Sequence, residues 1–141
     1  MDDNHPILGD LSADQFLAEY WQKKPLLIRN AFPNFEPPID GDDLAGLSLE
    51  PTVESRLVVG DTWQVEHGPF DEARFETLPD NNWTLLVQAV DLWVPEVAEL
   101  LNHFDFLPPW RVDDIMVSYA EDGGSVGPHF DHYDVFLLQG S

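Results

Sequence analysis

Apolar residues recur at two different periods along this chain, and each change of period marks an element. Near the start, Phe16, Leu17 and Tyr20 follow helical spacing behind Ser12-Ala13-Asp14-Gln15. That run has capping-box form, so a helix is predicted from Ser12. It should stop before Pro25, because a proline disfavours helical geometry in the residue ahead of it. Pro25-Leu26-Leu27-Ile28-Arg29 reads as a short strand, followed by a proline-rich loop through Pro38. Asp42 to Leu47 suits a second short helix.

Beyond Glu54 the period shortens to two. Arg56-Leu57-Val58-Val59, Gly60-Asp61 and Thr62-Trp63-Gln64-Val65 together predict a hairpin with a two-residue turn. A brief helix is expected over Phe70 to Phe75, and Trp83 to Val90 is rich in strand-formers. Pro95 to Phe104 regains helical spacing, with the proline in its first turn. Ile115 to Tyr119 reads as a strand, Glu121 to Gly127 as a loop with three glycines, and Phe130 to Leu138 as a final strand. Helices early and strands late predict an α+β fold, not the alternation of a doubly wound sheet. No repeat, low-complexity tract or dividing linker is visible, so residues 1–141 read as part of one domain.

Composition narrows the function classes. Hydrophobic residues make up 43% of the 141 positions, which is enough for a real core and excludes disorder along the whole length. No apolar run approaches the roughly 18 residues of a membrane span. The opening MDDNHPILGD is acidic where a secretion signal would be basic. Cysteine is absent, which removes disulfides and thiolate metal sites and suits the cytoplasm. The charge is the unusual quantity: 27 acidic residues against 6 basic ones, a formal net of -21. Such a chain repels nucleic acid and anionic membranes and attracts a basic partner.

The chemistry concentrates in Gly127-Pro128-His129-Phe130-Asp131-His132-Tyr133-Asp134. On a strand, side chains at i and i+2 share a face. A His-x-Asp pair there aims an imidazole and a carboxylate at one point, two of the three ligands of the 2-His-1-carboxylate triad that holds Fe(II) with open positions. Spacing alone offers two such pairs, His129/Asp131 and His132/Asp134, on opposite faces. The first shares its row with Tyr133, Val135 and Leu137, the second with Phe130, Phe136 and Leu138.

Several blocks in order extend this signal over nearly the whole chain. They are Tyr20-Trp21-Gln22-Lys23-Lys24-Pro25, Asp43 to Leu47, Glu54 to Val58, Trp63-Gln64-Val65 with His67-Gly68-Pro69-Phe70, and Asn82 to Val90. Trp110 to Asp114, Gly127 to Asp131 and Tyr133 to Gly140 complete the set. In these blocks the chain resembles the bacterial JmjC-type ribosomal oxygenases, which hydroxylate an arginine of a large-subunit ribosomal protein. The resemblance implies His129 and Asp131 as the metal pair. It also implies a helical segment leading into a double-stranded β-helix, the cupin jelly roll. The cofactors it implies are Fe(II) and 2-oxoglutarate, the latter converted to succinate and carbon dioxide as an arginine carbon 3 is hydroxylated. Substrate contact is implied at Ser118, His129, Phe130 and Asp131, with no catalytic residue beyond the metal ligands.

By the same resemblance the second metal histidine and the basic anchor for 2-oxoglutarate are expected after Ser141. The chain then reads as the N-terminal part of the oxygenase domain, incomplete at its C-terminus. It is expected to bind its cofactors weakly or not at all, to be inactive alone, and to self-associate through unpaired strands. Two other readings are a cupin enzyme of different chemistry and a non-catalytic binding or structural module. Elsewhere, His67 reads as a hairpin-end histidine and His103 as a favourable charge at a helix C-terminus. The tryptophans at 21, 63, 83, 93 and 110 read as packing residues, and Glu121 to Gly127 as a flexible loop. Ser118 lacks the G-x-S-x-G context of a nucleophile.

Overall fold

The computed structural model describes residues 6–129, 131 and 133–140. These divide into two compact units, where the sequence shows no dividing linker. One contains residues 38–99 and 113–129; the other contains 6–37, 100–112, 131 and 133–140.

The first of these units is built on a four-stranded antiparallel sheet. Its strands are β1 (Ser55–Val59), β2 (Gln64–His67), β3 (Trp83–Val87) and β4 (Val117–Ala120), in the order β2-β1-β3-β4. Helix α2 (Gly41–Ser48) begins at a capping box, with the Asp40 carboxylate accepting from the Asp43 amide at 2.8 Å. Register pairs Leu57 with Leu85 and Leu85 with Tyr119 on one face. On that face Leu57, Leu85 and Val87 join Leu44 of α2, Val53, Val90 and Val97 in one buried aliphatic cluster. Each fully buried Leu or Val contributes about 1.5–3 kcal/mol relative to exposure. Phe75, from the short helix α3 (Glu72–Glu76), packs against its margin together with Phe70.

The opposite face carries Arg56, Leu86 and Ser118 in one cross-strand row, and Val58, Thr84 and Ala120 in the next. Val58, Leu86 and Thr84 are also buried, so the two central strands are covered on both sides. This explains why Leu57-Val58 and Leu85-Leu86-Val87 are continuous apolar runs and not strict alternations. The α+β class and the hairpin stand as predicted.

Several boundaries differ from the sequence reading. The hairpin pairs Val59 with Gln64, so its loop is Gly60 to Trp63 and not Gly60-Asp61. Trp63 adopts φ +52°, outside strand geometry, and its amide bonds the Gly60 carbonyl at 3.2 Å. The shift is two residues, so the side chains that remain in β2, from Gln64 on, keep their predicted faces. β3 ends at Val87, because Ala89 turns left-handed and Val90–Leu92 forms a 3-10 turn. The predicted helix at Pro95 keeps α geometry only over Pro95–Ala98 (α4) and tightens to 3-10 over Glu99–Phe104.

In the other unit α1 (Ala13–Glu19) starts at Ser12 as predicted, with both capping-box hydrogen bonds present. Phe16 of α1 is buried in a cluster with Trp21, Phe104, Phe106 and Phe136. Two predicted strands are absent there. Residues 25–28 and the described residues of 131–140 form no ladder, because no described segment pairs with either.

Candidate functional site

Strand geometry was the reason to expect His129 and Asp131 on one face, and neither lies in a strand. His129 belongs to the sheet-containing unit and Asp131 to the other; both are exposed. Phe130 and His132 lie outside the described residues, so the substrate contact expected at Phe130 is not located. Among the described residues no three His, Asp or Glu side chains come together as a metal cluster. The rival carboxylate, Asp134, accepts a hydrogen bond from Gln22 Nε2 at 2.9 Å. The described residues of 131–140 are all exposed, without alternation, and Phe136 stacks on Trp21 with ring centroids 5.8 Å apart.

His129 is reached through the glycine loop, whose first half is hydrogen-bonded to β3 and to the residue before it. Glu121 donates its amide to the Trp83 carbonyl at 3.1 Å, and Asn82 donates to the Asp122 carbonyl at 2.8 Å. Gly124 lies so close to β3 that a Cβ there would stand 2.4 Å from the Trp83 carbonyl oxygen and 2.9 Å from Thr84 Oγ1. The loop therefore crosses the sheet face that also carries Ser118, two residues from Ala120, the cross-strand partner of Thr84. Glycine is required at 124 for this close approach.

The loop ends at Gly127, which has φ +78° and takes its amide hydrogen bond to Ser125 Oγ at 3.0 Å. Its carbonyl oxygen stands 3.2 Å from His129 Nδ1. A carbonyl only accepts, so Nδ1 is the donor in this contact. Neutral imidazole nitrogen and carboxylate oxygen are donors suited to Fe(II) and to its neighbours in the first transition series. The donor set at His129 and Asp131 thus fits the expected metal in kind.

The remaining candidates have structural partners. His67 ends β2, beside Arg56 on the neighbouring strand. His103 meets the Phe32 ring edge-on at 4.7 Å, a packing contact that the sequence did not reveal. Trp83 donates from Nε1 to the Pro79 carbonyl at 2.9 Å and packs against Tyr119. Trp110 is exposed, with the Arg111 guanidinium over its ring. The Tyr119 hydroxyl donates to Glu121 at 2.7 Å, and that bond holds its pKa above the ordinary tyrosine value. Sequence reasoning missed Trp63 as a neighbour of the site. A positive φ at a tryptophan cannot be read from pattern.

Comparison with known proteins finds a domain match first. Residues 99–141, which include both candidate ligands, match the JmjC domain model. The chain is 48% identical over 133 residues to the ribosomal protein uL16 3-hydroxylase of Escherichia coli K12, covering 93% of this chain and 35% of that protein. It is 47% identical to a probable ribosomal oxygenase of Haemophilus influenzae, covering 92% of this chain and 33% of that one. The solved structure of the Escherichia coli ribosomal oxygenase YcfD in complex with cobalt and 2-oxoglutarate superposes with a TM-score of 0.81. That match has 47% identity and covers 86% of this chain and 34% of the other. The chain is thus similar to these bacterial ribosomal oxygenases, and it spans about a third of their length.

Proposed function

We propose that this chain supplies two metal ligands, His129 and Asp131, to a 2-oxoglutarate-dependent oxygenase that hydroxylates an arginine of a large-subunit ribosomal protein. The observation that carries the reading is sequence shared with the uL16 3-hydroxylase along 93% of the chain, through the segment that holds His-x-Asp. Iron would supply oxygen activation, coupled to decarboxylation of 2-oxoglutarate to succinate. His129 would bind through Nε2, with Nδ1 committed to the Gly127 carbonyl. Asp131 would neutralise part of the metal charge. Ser118, on the face that the glycine loop crosses, would contact the substrate arginine together with Phe130 and the metal pair.

The net charge of -21 favours a basic protein substrate over nucleic acid. Among the described residues no helix is long and apolar enough to cross a membrane. A ribosomal substrate places the reaction in the cytoplasm. We further propose that residues 1–141 are one part of a longer oxygenase domain and do not turn over alone, since two ligands hold iron weakly.

The test incubates the chain with Fe(II), 2-oxoglutarate and an arginine-bearing ribosomal peptide. Neither succinate above background nor a peptide heavier by one oxygen is expected from the chain alone, whereas a full-length version yields both. Turnover by the chain alone would overturn the inactivity. Decarboxylation by the longer protein without peptide oxidation would overturn the substrate. Self-association through the outer edges of β2 and β4, which have no partner strand among the described residues, is expected in light scattering.

A further inference from the structure

We propose that a groove beside α2 is a docking site for a lysine- or arginine-rich segment of the protein substrate, away from the arginine that reacts. The proposal rests on the ribosomal-substrate reading above and deepens it by adding a second point of attachment. The groove has a volume of about 530 Å³ and lies within the sheet-containing unit. Its floor is apolar and half-buried, made by Pro38, Ile39, Leu47 and Val94. Its rim is three exposed carboxylates, Asp42, Asp43 and Glu50. No Lys, Arg or His lines it, and among the described residues none of the three carboxylates meets a cationic side chain.

Helical periodicity brings floor and rim together. Asp42, Asp43, Gly46, Leu47 and Glu50 recur at three- and four-residue steps, on one side of α2 and the turn after it. Leu44 and Ser48 take the buried side. Gly46 is the informative residue. Glycine weakens a helix more than any residue but proline, yet nothing in the fold requires it here. Its backbone is helical, and a Cβ would meet no atom of the described residues within 4 Å. The missing side chain leaves the floor open between the carboxylates. A long basic side chain matches that form, because its methylene stem lies along apolar surface while its charged head reaches the rim. A second copy of this chain would bring a net charge of -21 against the same carboxylates, and phosphates would be repelled as well. Helix α2 covers the sheet face of Leu57 and Leu85, opposite Ser118, so a segment docked there leaves the Ser118 face clear.

The test titrates the isotope-labelled 141-residue chain with the intact basic ribosomal protein and, separately, with a short peptide around the target arginine, following amide NMR shifts. The intact protein should move the amides of the groove, whereas the short peptide should leave them in place. Gly46→Leu fills the floor and should weaken binding of the intact protein about tenfold. Asp42→Asn combined with Glu50→Gln should weaken it about as much and flatten its dependence on salt. All three positions are exposed, and Gly46→Ala should raise the thermal unfolding temperature, because the fold does not need the glycine. Groove amides that do not move, undiminished binding in Gly46→Leu, or a Gly46→Ala chain that melts lower would overturn the proposal. Docking requires no oxidation. A longer enzyme that leaves the arginine unoxidised therefore overturns the substrate reading, while the titration still decides whether the groove takes a basic protein. Oxidation of the peptide with silent groove amides overturns the groove alone.

Discussion

The sheet and the aromatic cluster, each taken within its own unit, are held together by different physics. In the sheet, aliphatic side chains fully removed from water sit on a ladder of backbone hydrogen bonds, and β1, β2 and β3 follow one another over residues 55–87. The cluster around Phe16 has no ladder among the described residues. Its rings come from α1 and the turn after it, from residues 104–106 and from residue 136, with centroids 4.8–6.4 Å apart. A ladder fixes register over many residues at once. A ring cluster fixes a few contact points between distant segments, each worth about 0.5–1.5 kcal/mol beyond its buried area. Such a cluster pins a segment like 133–140 without making it a strand.

Mutations in the two regions should separate accordingly. Leu57→Ala removes a side chain with no exposed surface from the middle of the sheet, and should cost about 2–5 kcal/mol in denaturant unfolding. Phe136→Ala should cost less, about 1–3 kcal/mol, because its ring is 38% exposed. A Phe136→Ala cost equal to that of Leu57→Ala would break the contrast. Amide exchange should show that its effect concentrates around Phe16, Trp21 and Phe106.

The smallest effect tests whether charge contributes to the sheet unit. Arg74 grips Glu66 with two hydrogen bonds, at 2.8 and 2.6 Å, and these hold the Glu66 pKa below its ordinary value. A lowered folded pKa means stability that is present above the unfolded value of about 4.3 and lost as pH falls through the folded one. Both side chains are partly solvated, so Glu66→Gln should cost less than about 1 kcal/mol at neutral pH. Unfolding measured across pH should show that the difference between the two proteins shrinks on acidification.

The sequence was most legible where the signal is local. The α1 cap is written in Ser12 and Gln15, three residues apart, and the faces of β1 and β3 follow from a period of two. Even the hairpin error preserved those faces, because the true loop is longer by two residues. The candidate ligands were equally legible: His129 and Asp131 stand in a short motif inside blocks of family sequence. Their presentation was not. Among the described residues neither lies in a strand, and the loop before them is hydrogen-bonded to β3.

The order of most elements and the buried face of the sheet were thus legible in the sequence itself, through spacing and residue chemistry within a few positions, whereas the candidate metal pair was singled out by the resemblance of the surrounding blocks. Only the tertiary structure decided that Phe136 docks into an aromatic cluster and not a ladder. It also decided that Gly124 and Gly127 are spaces filled by β3 and by Trp63. The physical reason is the same in both cases. A strand exists only if another segment pairs with it, and a glycine's role depends on what approaches it. Both depend on residues far away in the chain, which no local pattern contains.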